Sequence, residues 1–91
     1  MNSRLKQGFG QVSKTVIQDP EISLQEKAIY SYLCTYAGTD NTLFVSVDRM
    51  ASECGNTQST IIRILGKLEK KGIIRRESRS SGQTKLTTIL K

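Results

Sequence analysis

Apolar residues recur along this chain at two different periods, and the switches between them lay out the elements. Ile29, Tyr32, Leu33 and Tyr36 stand at i, i+3, i+4 and i+7, the buried stripe of a helix. Ser23-Leu24-Gln25-Glu26 opens it, because a Ser-x-x-Glu spacing lets each side chain bond the other residue's free backbone N–H. A first helix is therefore predicted from Leu24 to about Ala37, with Gly38 placed to stop it. Thr39-Asp40-Asn41 reads as a turn, and the β-branched and aromatic run Thr42-Leu43-Phe44-Val45 as one short strand. Ser46 can cap a second, short helix over residues 47–54, with Asp48 in its first turn and a left-handed residue at Gly55 to end it. Ile61, Ile64, Leu65 and Leu68 repeat the helical stripe in a third helix, about residues 57–71, capped by Asn56 or Thr57 and closed by Lys70-Lys71-Gly72. Past Gly72 the period shortens. Residues 73–77 and 85–90 read as strands, and residues 78–84 between them as a flexible, basic hairpin tip.

The first 22 residues are weakly periodic and interrupted by Gly8, Gly10 and Pro20, with Val12, Val16 and Ile17 as the expected core contributors. They are expected to form an N-terminal extension with a short strand or turn, ahead of one folded domain over residues 23–91.

Composition narrows the chemistry. A chain of 91 residues with 36% hydrophobic and 5% aromatic content supports one small core, so a multidomain enzyme is excluded. Histidine is absent, which leaves a serine or cysteine nucleophile without an imidazole base. Cys34 and Cys54 are the two cysteines, at most two soft ligands for zinc, and both fall in helix-patterned stretches as core filler of a reduced, cytosolic chain. The clustered acids Asp40, Asp48 and Glu53 have no phosphate loop or metal-ligand partner nearby, and Glu53 reads as a solvated helix residue. We expect no enzyme activity, no metal, no cofactor and no small-molecule ligand. No window approaches the roughly eighteen apolar residues of a membrane span, and the polar start Met1-Asn2-Ser3-Arg4-Leu5-Lys6 is unlike a signal peptide.

Charge points to a partner. The net charge is +6, but residues 1–57 hold five basic and six acidic side chains, a net of −1, whereas residues 58–91 hold nine basic and two acidic ones, a net of +7. A polyanion would meet the C-terminal third.

The side chains of the second and third helices meet the needs of a helix-turn-helix. Ala51 is small enough for close approach, Gly55 makes the turn four residues later, and Ile61 packs back six residues after that, with Met50, Cys54 and Ile64 filling inward positions. This Ala-x-x-x-Gly-x-x-x-x-x-Ile spacing resembles the bacterial helix-turn-helix signature. At roughly 100° per residue, Asn56, Ser59, Thr60, Arg63, Lys67 and Lys70 share a face opposite the apolar stripe, and that face holds no acid. Asn56, Thr57, Gln58, Ser59, Thr60 and Arg63 are the candidate base-reading residues near the start of the helix, with Lys67 and Lys70 reaching phosphates. Ile62 is a misfit off the apolar stripe, on the Glu69 side, open to a thymine methyl, a neighbouring element or a second subunit.

A hairpin after the recognition helix is the wing of a winged helix, and Gly72-Ile73-Ile74-Arg75-Arg76 resembles that family's exit into the wing. The resemblance covers about residues 23–90 and implies an α+β fold: a winged helix-turn-helix with a three-helix core, a small antiparallel sheet and a C-terminal β-hairpin wing. It also implies that the wing, about residues 75–88, tracks backbone phosphate or enters the minor groove through Arg75, Arg76, Arg79, Ser80, Ser81, Gln83 and Lys85. Residues 12–20 together with Lys27-Ala28-Ile29-Tyr30-Ser31-Tyr32-Leu33 resemble the start of the winged-helix domains in plasmid and phage replication initiators of the RepA type and DnaD-like proteins. That resemblance implies binding to repeated sites at a replication origin of a bacterial mobile element.

Three readings follow. The chain is the DNA-binding domain of an initiator, or a stand-alone transcriptional regulator or conjugation accessory protein at a promoter or transfer origin, or a winged helix that docks proteins without binding DNA. The acid-free face and the +7 third favour double-stranded DNA over docking. So small a module on DNA suggests a homodimer or several copies on repeated sites. RNA binding by stacking would need exposed rings, and with Tyr32 and Tyr36 on the packing stripe only Tyr30 is spare.

Overall fold

The computed structural model describes residues 11–79 and 82–91. Its elements run α1 (Lys14–Ile17), α2 (Leu24–Tyr36), β1 (Thr42–Leu43), α3 (Val47–Cys54), α4 (Gln58–Lys70), β2 (Ile74–Glu77) and β3 (Leu86–Ile89). This is the α+β winged helix-turn-helix expected from the sequence. Three helices, α2 to α4, enclose the core, and an antiparallel sheet in the order β1-β3-β2 closes it.

Local chemistry sets each boundary. Ser23 Oγ accepts from the Glu26 N–H at 3.2 Å while Glu26 Oε1 accepts from the Ser23 N–H at 3.0 Å, completing the capping box that starts α2. Ser46 and Thr57 cap α3 and α4 in the same way, each accepting a backbone N–H three residues on. Gly55 ends α3 with φ 66°, where a side chain would be strained, and the next N–H, of Asn56, bonds Ala51 O at 2.9 Å. The first turn differs from expectation. α2 ends on an extended Ala37, and Asn41 rather than Gly38 takes the positive φ, at 63°, as an asparagine tolerates.

In the hairpin, Ile74 pairs with Ile89, Arg75 with Thr88, Arg76 with Thr87 and Glu77 with Leu86, while Thr42 and Leu43 pair with Thr88 and Thr87 on the other side of β3. The strand expected over residues 42–45 shrinks to two residues, because Val45 leaves the ladder to enter the core ahead of α3.

The core is built from Ile29, Leu33, Met50, Ala51, Ile61, Ile64, Leu65, Leu68, Ile73 and Ile74, all buried, with Cys34 among them and Cys54 half-buried at its edge. α4 touches α2, α3 and β2, so its apolar stripe is the centre of the domain. Removing one such side chain, as in Leu68→Ala, would cost about 2–5 kcal/mol.

Two expectations are corrected. The segment before α2 contains the helical turn α1, capped by Ser13, where a strand or turn was expected; Val16 is buried, but Val12 is exposed and Ile22 takes its place in the core. Tyr30 is no spare ring. It is buried, and its hydroxyl accepts from the Ser13 N–H at 2.9 Å and donates to Lys91 O at 3.1 Å, tying both ends of the described chain to α2. Tyr32 and Tyr36 are half-buried and pack against the core, as their place on the stripe predicts.

Candidate nucleic-acid interface

α4 presents its polar side away from the core, and its start is fixed by its own predicted site residues. Asn56 Oδ1 accepts from the Thr57 N–H at 2.8 Å, Thr57 Oγ1 accepts from the Thr60 N–H at 3.2 Å, and the two threonine hydroxyls bond each other at 3.0 Å. Gln58 Nε2 donates to Asp48 Oδ1 at 3.1 Å, so Asp48 ties α3 to α4 as well as favouring the first turn of α3. Asn56, Thr57, Gln58 and Thr60 thus brace the helix start. Ser59, Arg63, Lys67 and Lys70 are exposed, and among the described residues their side chains take part in none of the hydrogen bonds or ion pairs, which leaves them open to a partner.

Two acids bear on α4 and its end. Glu69, the acid of α4, lies close enough to Arg76 to stabilise its charge. Glu26 is buried, and while that burial pushes its carboxyl up, the Lys71 ammonium, the Ser23 N–H and the charge of Lys67 outweigh it and hold the carboxyl below its ordinary range. Lys71, which sequence alone assigns to the helix dipole, in fact bonds Glu26 Oε1 and Glu21 O, each at 2.6 Å.

The wing is more constrained than a flexible basic loop. Arg75 pairs with Glu77 at 3.1 Å on the outer face of β2. Arg76 is half-buried on the opposite face; its Nε donates to Thr87 Oγ1 at 3.1 Å, and burial lowers its pKa. Arg79 Nε donates to Thr84 O at 2.7 Å across the hairpin, and its guanidinium lies 4.2 Å from the centre of the Phe44 ring. Gln83 and Lys85 are exposed, and Ser80 and Ser81 lie outside the described residues. Of the predicted wing residues, the structure leaves Arg79, Gln83 and Lys85 at the surface without an acidic partner among the described residues, and turns Arg76 inward.

Two features escaped the sequence reading. Phe44, 54% exposed, is the platform under Arg79; the alternation Leu43-in, Phe44-out, Val45-in carries its signal. Glu53 is the solvated helix residue the sequence predicts, and it is also a hub. Its Oε1 accepts from the Tyr32 hydroxyl at 2.6 Å and also from the Tyr36 hydroxyl, while its Oε2 takes Arg49 Nε at 3.3 Å. The Tyr32 bond, then those from Tyr36 and Arg49, hold the Glu53 carboxyl below its usual range. These contacts pin α3 to α2 on the side away from the core.

The model of a helix-turn-helix domain family matches residues 21–74, from the end of the N-terminal segment through α4 into β2. The chain belongs to this family, and with the sheet and hairpin that follow it is a winged helix-turn-helix DNA-binding domain. Comparison with curated proteins and with solved structures finds no match. No helix among the described residues is long and apolar enough to cross a membrane.

Proposed function

We propose that the protein reads double-stranded DNA with α4 in the major groove and the hairpin on the backbone or in the minor groove. The carrying observation is the open strip Ser59, Arg63, Lys67 and Lys70, which contains no carboxylate and lies on the helix following the α3 turn. A fork of guanidinium donors at Arg63 suits the O6 and N7 edge of guanine, whereas Lys67 and Lys70, nearer the helix end, suit phosphates. Asn56, Thr57, Gln58 and Thr60 hold the first turn of α4 in shape and reach DNA as their hydroxyl and amide groups allow. Arg79 is the wing's principal contact, with Gln83 and Lys85 beside it, and Ser80 and Ser81 complete the proposed tip; Arg75 and Arg76 take a lesser part because Glu77 and Thr87 already engage them.

For the biological role we favour initiation of replication at repeated origin sites of a bacterial mobile element, on the resemblance of residues 12–33 to RepA-type and DnaD-like initiators. Several copies on adjacent sites, or a homodimer, would supply the affinity that one small module lacks. Regulation at a promoter and action at a transfer origin use the same DNA-reading surface.

The test is to incubate the protein with sheared DNA of its own source at ~150 mM salt, where non-specific electrostatic binding is weak, and to sequence what is retained. A cluster of repeats at an origin supports initiation, a promoter site supports regulation, and a transfer-origin site supports conjugation. No enrichment over input refutes sequence reading and leaves a non-specific DNA binder or a protein-docking module.

A further inference from the structure

Ile62 and Gly66 are two residues on the outer side of α4 for which the fold supplies no reason. Ile62 is 57% exposed, so no neighbouring element covers it. Gly66 stands in the helix interior, where glycine is among the least favourable residues, yet a Cβ built there would meet nothing within 4 Å. It does not share the reason for Gly55, whose φ of 66° favours glycine.

The two positions are i,i+4 neighbours on one helix face. Because Cα–Cβ bonds tilt toward a helix's N-terminus, a side chain at 66 would lie over the preceding turn, beside Ile62. Glycine leaves that turn bare, an open strip of backbone one turn from the exposed Ile62 side chain. Ser59, Arg63 and Lys70 flank it on one side and the exposed carboxylate of Glu69 on the other.

From this we infer that Ile62 and Gly66 are specificity-determining residues, forming a notch that receives the C5 methyl of a thymine in the major groove; the inference rests on the DNA reading proposed above. The surroundings favour this occupant. A protein partner would need a broader apolar patch than one isoleucine among polar and charged side chains. The thymine methyl is a lone apolar group on the groove edge of a polyanion, and an apolar side chain is what contacts it. The bare backbone at Gly66 lets α4 sink close enough to the base edge for that contact.

The test uses duplexes that the protein itself enriches from a random pool. The tightest is remade with each thymine replaced in turn by deoxyuridine, which lacks only the C5 methyl. At one position the wild-type affinity should fall about fourfold, as expected for one buried methyl group. Ile62→Ala, an exposed and therefore tolerated change, should bind the thymine duplex correspondingly more weakly and be indifferent to uracil at that position. Gly66→Ala should raise the Tm of the free protein, since alanine is the better helix former in open space, and yet weaken binding to the selected duplex. A flat uracil scan, an Ile62→Ala protein that keeps the wild-type sensitivity, or a Gly66→Ala protein of undiminished affinity would each overturn the notch while leaving DNA reading intact. Failure to enrich any duplex would defeat the DNA reading itself, and the notch with it.

Discussion

Lys71 Nζ lies 2.6 Å from Glu26 Oε1, joining the residue that ends α4 to the third residue of α2. Glu26 is 3% exposed and also closes the α2 capping box, so one buried carboxylate fixes both the start of α2 and the end of α4. The pair therefore ties the end of α4 to the start of α2.

A pH dependence follows from this pair. Glu26 has a depressed folded pKa, so its contribution is present above the ordinary glutamate value of 4.5 and is lost as pH falls through the folded value. Glu26→Gln keeps an acceptor for the Ser23 N–H but loses the charge, and should lower stability at neutral pH by about 1.5–3 kcal/mol. In urea titrations the gap between wild type and variant should narrow as pH drops below 4.5. A gap constant with pH would mean that the charge of Glu26 is not what stabilises the fold.

The Phe44 and Arg79 contact predicts a separation of affinity from salt dependence. Arg79→Ala removes a phosphate-neutralising charge, so the slope of log K against log salt should flatten by about 0.9. Phe44→Ala leaves the charge and removes only the platform, worth about 0.5–1 kcal/mol at an exposed site, so affinity should drop with the slope unchanged. Filter-binding isotherms across a salt series measure both. An Arg79→Ala protein with wild-type slope would place the wing tip off the DNA.

The Glu53 hub is readable by tyrosine titration. Burial pushes the Tyr32 phenol well above its ordinary range, and the Glu53 and Tyr36 side chains push it the same way. A raised folded pKa gives stability that is present below the unfolded tyrosine value and is lost as pH rises through the folded one. Glu53→Gln should therefore bring tyrosinate absorbance in at lower pH and shift alkaline unfolding to lower pH with it. Coincident titration curves for the two proteins would mean that Glu53 does not govern Tyr32.

How much of this was legible in the sequence follows from where the decisive interactions lie. Helix starts are written locally, and Ser23, Ser46 and Thr57 each cap the helix their spacing announces. The i, i+3, i+4 stripes of α2 and α4 locate most of the core because periodicity and burial are the same physical fact. Pairings across long sequence separations are not written locally: Lys71 with Glu26, Tyr30 with Lys91 and Tyr36 with Glu53 join residues 45, 61 and 17 positions apart. For the same reason the polar face of α4 was legible as a face, whereas the bracing of Asn56, Thr57, Gln58 and Thr60 emerged only with the fold. The place of Arg76 on β2 is written locally, whereas its half-burial and its bond to Thr87 across the hairpin are not.

The most direct test of the account compares wild type and Arg63→Ala on two duplexes of equal length, one enriched by the wild-type protein from random sequence and one scrambled. The account predicts that wild type prefers the enriched duplex by about 10³-fold or more. Arg63→Ala should lose about 1–3 kcal/mol on that duplex and bind the scrambled one nearly as wild type does, as expected for a side chain that reads a base. Equal wild-type affinity for the two duplexes, or an Arg63→Ala loss of the same size on both, would contradict it.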